Sequence, residues 1–102
     1  MYVENYLADN GNDLRAAIVA AHDANTVDGT VFILPVGEFP WVGIFFSPRN
    51  HTHWWGQGCT IYQDMLGVAS GQIIFFLRLD TGIGTHGDDI SFHYINFELR
   101  NA

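Results

Sequence analysis

Three groups of side chains in this sequence could do chemistry. His51-Thr52-His53 places two imidazoles two residues apart. On an extended strand that spacing puts both on one face, where they could share a metal. A third ligand would have to come from elsewhere, with His86, His93 and Asp64 as candidates. The competing reading is two histidines on a solvated strand beside tryptophan, and the expectation is no metal. Trp41, Trp54, Trp55, Tyr62 and Tyr94 form the second group. Their flat faces could stack on sugar rings as a substrate-binding set, or fill the interior or a protein interface. Neighbours along a strand point opposite ways, so at most one of Trp54 and Trp55 faces inward. Asp88-Asp89 is the third group, a pair of carboxylates after Gly87. Its plain reading is a polar turn, Thr85 to Asp89, leading into a strand.

Other chemistries lack their residues. No serine-nucleophile elbow, phosphate loop or dinucleotide fingerprint occurs, and Gly82-Ile83-Gly84-Thr85 is too short and follows no helix. Cys59 is the only cysteine, which rules out an internal disulfide and a cysteine-based zinc site. It precedes an apolar strand and reads as a small core residue. No motif indicates calcium, and no cofactor is expected. Asn50-His51-Thr52 fits a glycosylation sequon, read here as accidental.

Composition narrows the partners. The chain has 102 residues, enough for one domain, with 48% hydrophobic, 15% aromatic and 15% charged residues. It is too apolar for a disordered chain and has no apolar run long enough to span a membrane. Eleven acidic residues face four arginines and no lysine, for a net charge of −7. The arginines, at 15, 49, 78 and 100, stand singly, so nucleic acid and anionic membranes are excluded as partners. The opening MYVENYLADN has neither a basic n-region nor an apolar h-region, so no signal peptide is expected. Localisation stays open between a cytoplasmically made or virion-associated protein and an extracellular one whose signal was removed.

The elements that must position these groups follow from spacing. Residues 13–24 predict the one helix, with Leu14, Ala17, Ile18 and Ala21 on one stripe, Asn12 or Asp13 as cap, and Asp28-Gly29 as stop. Short strands are predicted at 30–34, 41–46, 51–55, 59–63, 72–79 and 89–99, several of them continuously apolar as in strands buried on both faces. Val31 to His53 is 22 residues, His53 to Ile74 is 21, and Ile74 to Tyr94 is 20. A period near twenty fits the coil of a β-solenoid, and also fits regularly spaced turns in an ordinary sandwich.

The segment YLADNGNDLRAAIVAAHDANTVDGTVFILPVGEF resembles the opening of the pectate-lyase-like right-handed parallel β-helix superfamily, which includes polygalacturonases, polysaccharide lyases and phage tailspikes. Ala8-Asp9-Asn10-Gly11 looks like the family's first turn. Ala16-Ala17-Ile18 and Ala20-Ala21 are similar to its capping helix. Gly29 to Phe39 is similar to its first strand and Pro-x-Gly corner. Asn50 to Gly58 and Asp88 to Phe97 are similar to later rungs. The resemblance implies an all-β fold over residues 1–102: a right-handed parallel β-helix of about three to four coils (about 30–99) behind an N-terminal capping α-helix (about 13–24). It also compares Asp88 and Asp89 with the catalytic Gly-Asp-Asp element, whose carboxylates act as acid and base across a glycosidic bond. The family's further Asp, His and basic motifs are missing, and its enzymes are several times longer.

The functional expectation is a carbohydrate-interacting segment, binding rather than cleaving. If it is an enzyme, it is a polysaccharide lyase or glycoside hydrolase. The acidic surface favours a neutral glycan over an unaided polyanion. The alternative is a non-catalytic structural module, such as a tailspike or fibre component, whose last strand edge is covered by self-association as dimer or trimer or by further coils.

Overall fold

In the computed structural model the structure describes residues 1–43, 46–66 and 88–101. Two short 3-10 segments, Val3–Tyr6 and Ala8–Asn10, precede the helix α1 at Leu14–Ala24. Of the two cap candidates it is Asp13 that acts, accepting from the Ala16 N–H at 3.3 Å. Leu14, Ala17, Ile18 and Ala21 are buried, the stripe that their spacing dictates. The other end closes at Asn25, whose side-chain amide donates to the Ala21 carbonyl at 2.8 Å and so occupies an acceptor the helix leaves over.

Beyond α1 the chain alternates between two parallel sheets. Strands β1 (Thr30–Ile33), β3 (Thr52–Trp55) and β5 (Ile90–His93) form one, in the order β1-β3-β5. Strands β2 (Gly37–Pro40), β4 (Cys59–Asp64) and β6 (Asn96–Arg100) form the other, in the order β2-β4-β6. In the first sheet Val31 pairs with His53 and His53 with Ser91, which fixes which side chains stand in a row across the strands. The outer side of β1 is occupied by the N-terminus. The Met1 amino group donates to the Val31 carbonyl at 2.8 Å, the Ile33 N–H donates to the Met1 carbonyl at 2.7 Å, and Tyr2 bridges to Ile33.

Phe32 and Trp54 are neighbours across the pair and stack face to face, 4.3 Å between centroids, in the centre of the core. Val3, Leu14 and Ile18 meet them from the helical segment, and Cys59 and Ile61 from β4. The Trp54 indole N–H would be costly here without an acceptor. It donates to the Thr52 hydroxyl at 3.1 Å, which itself donates to the Arg49 carbonyl at 2.8 Å. Arg49 also ties the helix down: its N–H donates to His22 Nε2 at 2.9 Å and its guanidinium to the Asn25 carbonyl at 2.5 Å. Burial pushes the Cys59 thiol up to about 11, so it stays protonated as a small core residue.

The architecture corrects the expected right-handed parallel β-helix of three to four coils. The described residues form two three-stranded parallel sheets and one helix, in a body of 39 × 36 × 23 Å. The series Val31, His53, Ile74, Tyr94 required residues 72–79 to lie next to β3. That place is occupied by β5, with His53 paired to Ser91. A spacing near twenty residues is also what parallel strands need for a crossover, so it cannot by itself distinguish coils from alternate additions to two sheets. The run predicted as one strand at 89–99 is two, belonging to different sheets, because the chain turns at Tyr94 with a left-handed backbone (φ 61°). Trp41–Gly43 is not in a strand, and β2 occupies the stretch read as a corner. The strand predicted at 72–79, Gly82 to Thr85, Ile44, Phe45, His86 and Gly87 lie outside the described residues.

Candidate functional site on the outer face of the first sheet

Alternation along β3 buries Thr52 and Trp54 and turns His53 and Trp55 to the outer face. Pairing with β5 then sets His53 beside Ser91 and Trp55 beside His93. His53 Nδ1 is 2.6 Å from Ser91 Oγ, and His93 Nε2 is 3.0 Å from the same oxygen. The Trp55 and His93 rings stack at 4.3 Å with 17° between planes, and Tyr94 lies 5.5 Å from Trp55.

The turns entering the strands bring in two more groups. Gly29, His51 and Asp89 immediately precede β1, β3 and β5, all with left-handed backbone. The Gly29 N–H donates to the His51 carbonyl at 2.7 Å, and the His51 N–H to the Asp88 carbonyl at 3.1 Å. Stacked this way, His51 Nδ1 donates to Asp89 Oδ2 at 2.9 Å, while Asp89 Oδ1 is 3.7 Å from His53 Nε2. The latter is within ion-pair reach but long for a hydrogen bond. The hydrogen bond to Asp89 holds the His51 imidazole above its ordinary value, with Asp28 adding to the effect, and the same bond lowers the Asp89 carboxyl. Asp89 is therefore an ionised acceptor and orienting charge, unsuited to donating a proton as a general acid.

The signs of the two shifts define a pH window. A raised imidazole stabilises the fold fully below its ordinary 6.5, and this is lost as pH rises through the raised value. A lowered carboxyl stabilises above its ordinary 3.8, and this is lost as pH falls through the lowered value. The link between the two turns is strongest between those limits. In Asp89→Asn protein the His51 titration midpoint, followed by NMR, is expected to fall back towards 6.5; an unmoved midpoint would contradict the pairing.

On the β1 side the same face is apolar. Val31, Ile33, Trp55 and Gln57 line an open pocket of about 490 Å³. In the strand order Ile33 lies on the opposite side of Trp55 from His93. His93 backs one side of the indole, and the shorter Ile33 leaves the pocket beside the other.

The sequence-predicted aromatic set is divided by the fold. Trp55, 37% exposed, and Tyr94, 69% exposed, come together at this face. Trp54 is fully buried and Trp41 nearly so, which leaves neither ring a face for a ligand. Tyr62 is on the other sheet, covered by the Arg100 guanidinium 3.8 Å from its ring centroid. Arg100 is held there by Glu98 at 2.9 Å and by Glu38. Asp88 and Asp89 also divide: Asp89 joins the histidines, whereas Asp88 serves through its backbone, its N–H donating to Asn50 Oδ1 at 2.9 Å. Of the candidate third metal ligands, His93 meets His53 through Ser91, and Asp64 lies on β4 bonded to Asn101. Among the described residues no group of three or more His, Cys, Asp or Glu is placed to hold a metal. Sequence reasoning missed Ser91, Val31, Ile33 and Gln57; only the strand pairing signals them. No family model matches the chain, and no curated protein or solved structure matches it.

Proposed function

We propose that the chain is a glycan-binding module and that the outer face of the first sheet is its binding surface. The observation that carries this is the half-exposed Trp55 ring, backed by His93 and bordered by the Val31–Ile33 pocket. A preformed apolar slot with a few convergent polar groups is the usual form of a small-molecule site. An aromatic wall suits the C–H face of a sugar, and His53, Ser91, His93 and Gln57 supply hydrogen-bonding groups for its hydroxyls. The net charge of −7, with Asp28, Asp88 and Asp89 near the strand ends, favours a neutral glycan.

The test is a tryptophan-fluorescence titration with neutral gluco-, xylo- and manno-oligosaccharides, with polygalacturonate as the charged comparison. A saturable change with one of the neutral sugars is expected, with Kd of about 0.1–1 mM. Trp55→Ala is expected to weaken it at least ~10-fold. Unchanged emission with all the neutral sugars would overturn the reading.

A second reading, a non-catalytic assembly module, is favoured by one observation. Val31, Trp55 and Tyr94 are large apolar residues exposed on a single face, and aromatic residues are enriched in protein interfaces. A multimer by light scattering that Trp55→Ala converts to monomer, with no sugar response, would replace the first reading with the second.

A further inference from the structure

We propose that Ser91 is a nucleophile towards ester carbonyls, with His53 as its base and Asp89 orienting His53, and that the substrate class is an O-acylated sugar. The substrate class rests on the glycan-binding reading, whereas the nucleophile does not.

Asp89 only accepts and stands 3.7 Å from His53 Nε2, an ion-pair contact without a direct hydrogen bond, so the reaction uses the tautomer with its hydrogen on that nitrogen. That leaves the lone pair on Nδ1, which receives the Ser91 O–H at 2.6 Å. The serine, imidazole and carboxylate stand in the order that defines a nucleophile, its base and the base's orienting group. His93 Nε2, 3.0 Å from the same Ser91 Oγ, holds the hydroxyl from its other side and fixes its rotamer. Asp89 is itself fixed, because His51 donates to its other oxygen at 2.9 Å. Residues 53, 89 and 91 all sit on or beside paired strands, so backbone pairing rather than a loop sets their positions.

The pocket supplies the second part. Ser91 is two strands from Val31, a span of about 9.6 Å, on the order of two sugar rings. A glycan crossing the strands with one ring beside Trp55 brings a substituent on its neighbour over Ser91.

The step balances with water as the co-reactant. Ser91 Oγ bonds to the acyl carbon as its proton passes to His53 Nδ1. The acyl carbon–alkoxy oxygen bond breaks, and the sugar oxygen leaves with that proton. Water then attacks the acyl-serine, giving its proton to His53, which returns it to Ser91 Oγ as the carboxylic acid departs.

The test uses the full chain with a fluorophosphonate probe read by peptide mass, and with p-nitrophenyl acetate and acetylated xylo-oligosaccharides as esters. The chain has three serines, Ser47, Ser70 and Ser91. One adduct is expected, on Ser91, with acetate released from both esters. Ser91→Ala should lower hydrolysis at least ~100-fold and His53→Gln by a similar factor. Asp89→Asn should lower it by a smaller factor than either, since Asp89 stands 3.7 Å from His53, with circular dichroism showing each variant folded. No adduct, an adduct on another serine, or wild-type hydrolysis by folded Ser91→Ala protein overturns the nucleophile, even where the sugar titration succeeds. Labelling and p-nitrophenyl acetate hydrolysis without sugar binding or acetate release from xylo-oligosaccharides keeps the nucleophile and overturns the substrate class.

Discussion

Trp54→Ala is expected to destabilise the protein by about 3–5 kcal/mol, the cost of deleting a large aromatic from a closed core. Native stabilities are about 5–15 kcal/mol, so this loss brings the chain close to unfolding at room temperature. The residue is fully buried, stacks on Phe32 at 4.3 Å, and meets Phe46 edge-on at 5.5 Å. Truncation also removes the N–H that the Thr52 hydroxyl accepts. Urea denaturation followed by circular dichroism measures the change. The control is next door: Trp55→Ala, on the outer face, should cost much less. Equal costs at the two positions would mean that the strand register is wrong, since a one-residue slip exchanges the two faces.

The second large effect is expected at Gly56, which follows β3. A Cβ there would lie 2.5 Å from Ile95 Cγ1 and 3.2 Å from the Ile95 Cα. Gly56 cannot easily move away, because its N–H donates to the His93 carbonyl at 2.9 Å. Gly56→Ala is therefore expected to cost about 1–3 kcal/mol through overpacking. In Gly56→Ala/Ile95→Ala protein the clash with Cγ1 is gone, so the double variant should be more stable than the sum of the single losses. Additive losses would contradict the close approach of the two connecting segments.

The helix was legible because its signal is local. Leu14, Ala17, Ile18 and Ala21 lie within eight positions of one another, and an α-helix of any context puts them on one stripe. Starts of strands were legible for the same reason at Thr30 and Cys59, and to within one residue at Thr52. Strand β2 was not, because Gly37 and Pro40 read as punctuation, whereas here they open and close a strand. The break between β5 and β6 was equally hidden, since it rests on a tyrosine with left-handed backbone, a conformation sequence pattern assigns to glycine or asparagine.

The candidate site shows the same division. The sequence by itself determined that Trp54 and Trp55 face opposite ways and that His51 and His53 lie near one strand. Only the tertiary structure decided which tryptophan is inside, because that parity depends on which face of β3 meets Phe32 and α1. Only it brought Asp89 to His51 and Ser91 to His53, across 38 residues of chain. Periodicity and turn chemistry act over a few residues, and the chain obeys them wherever it lies. Which strand becomes a neighbour is settled by burial of the whole core, a sum over distant side chains that no local pattern contains.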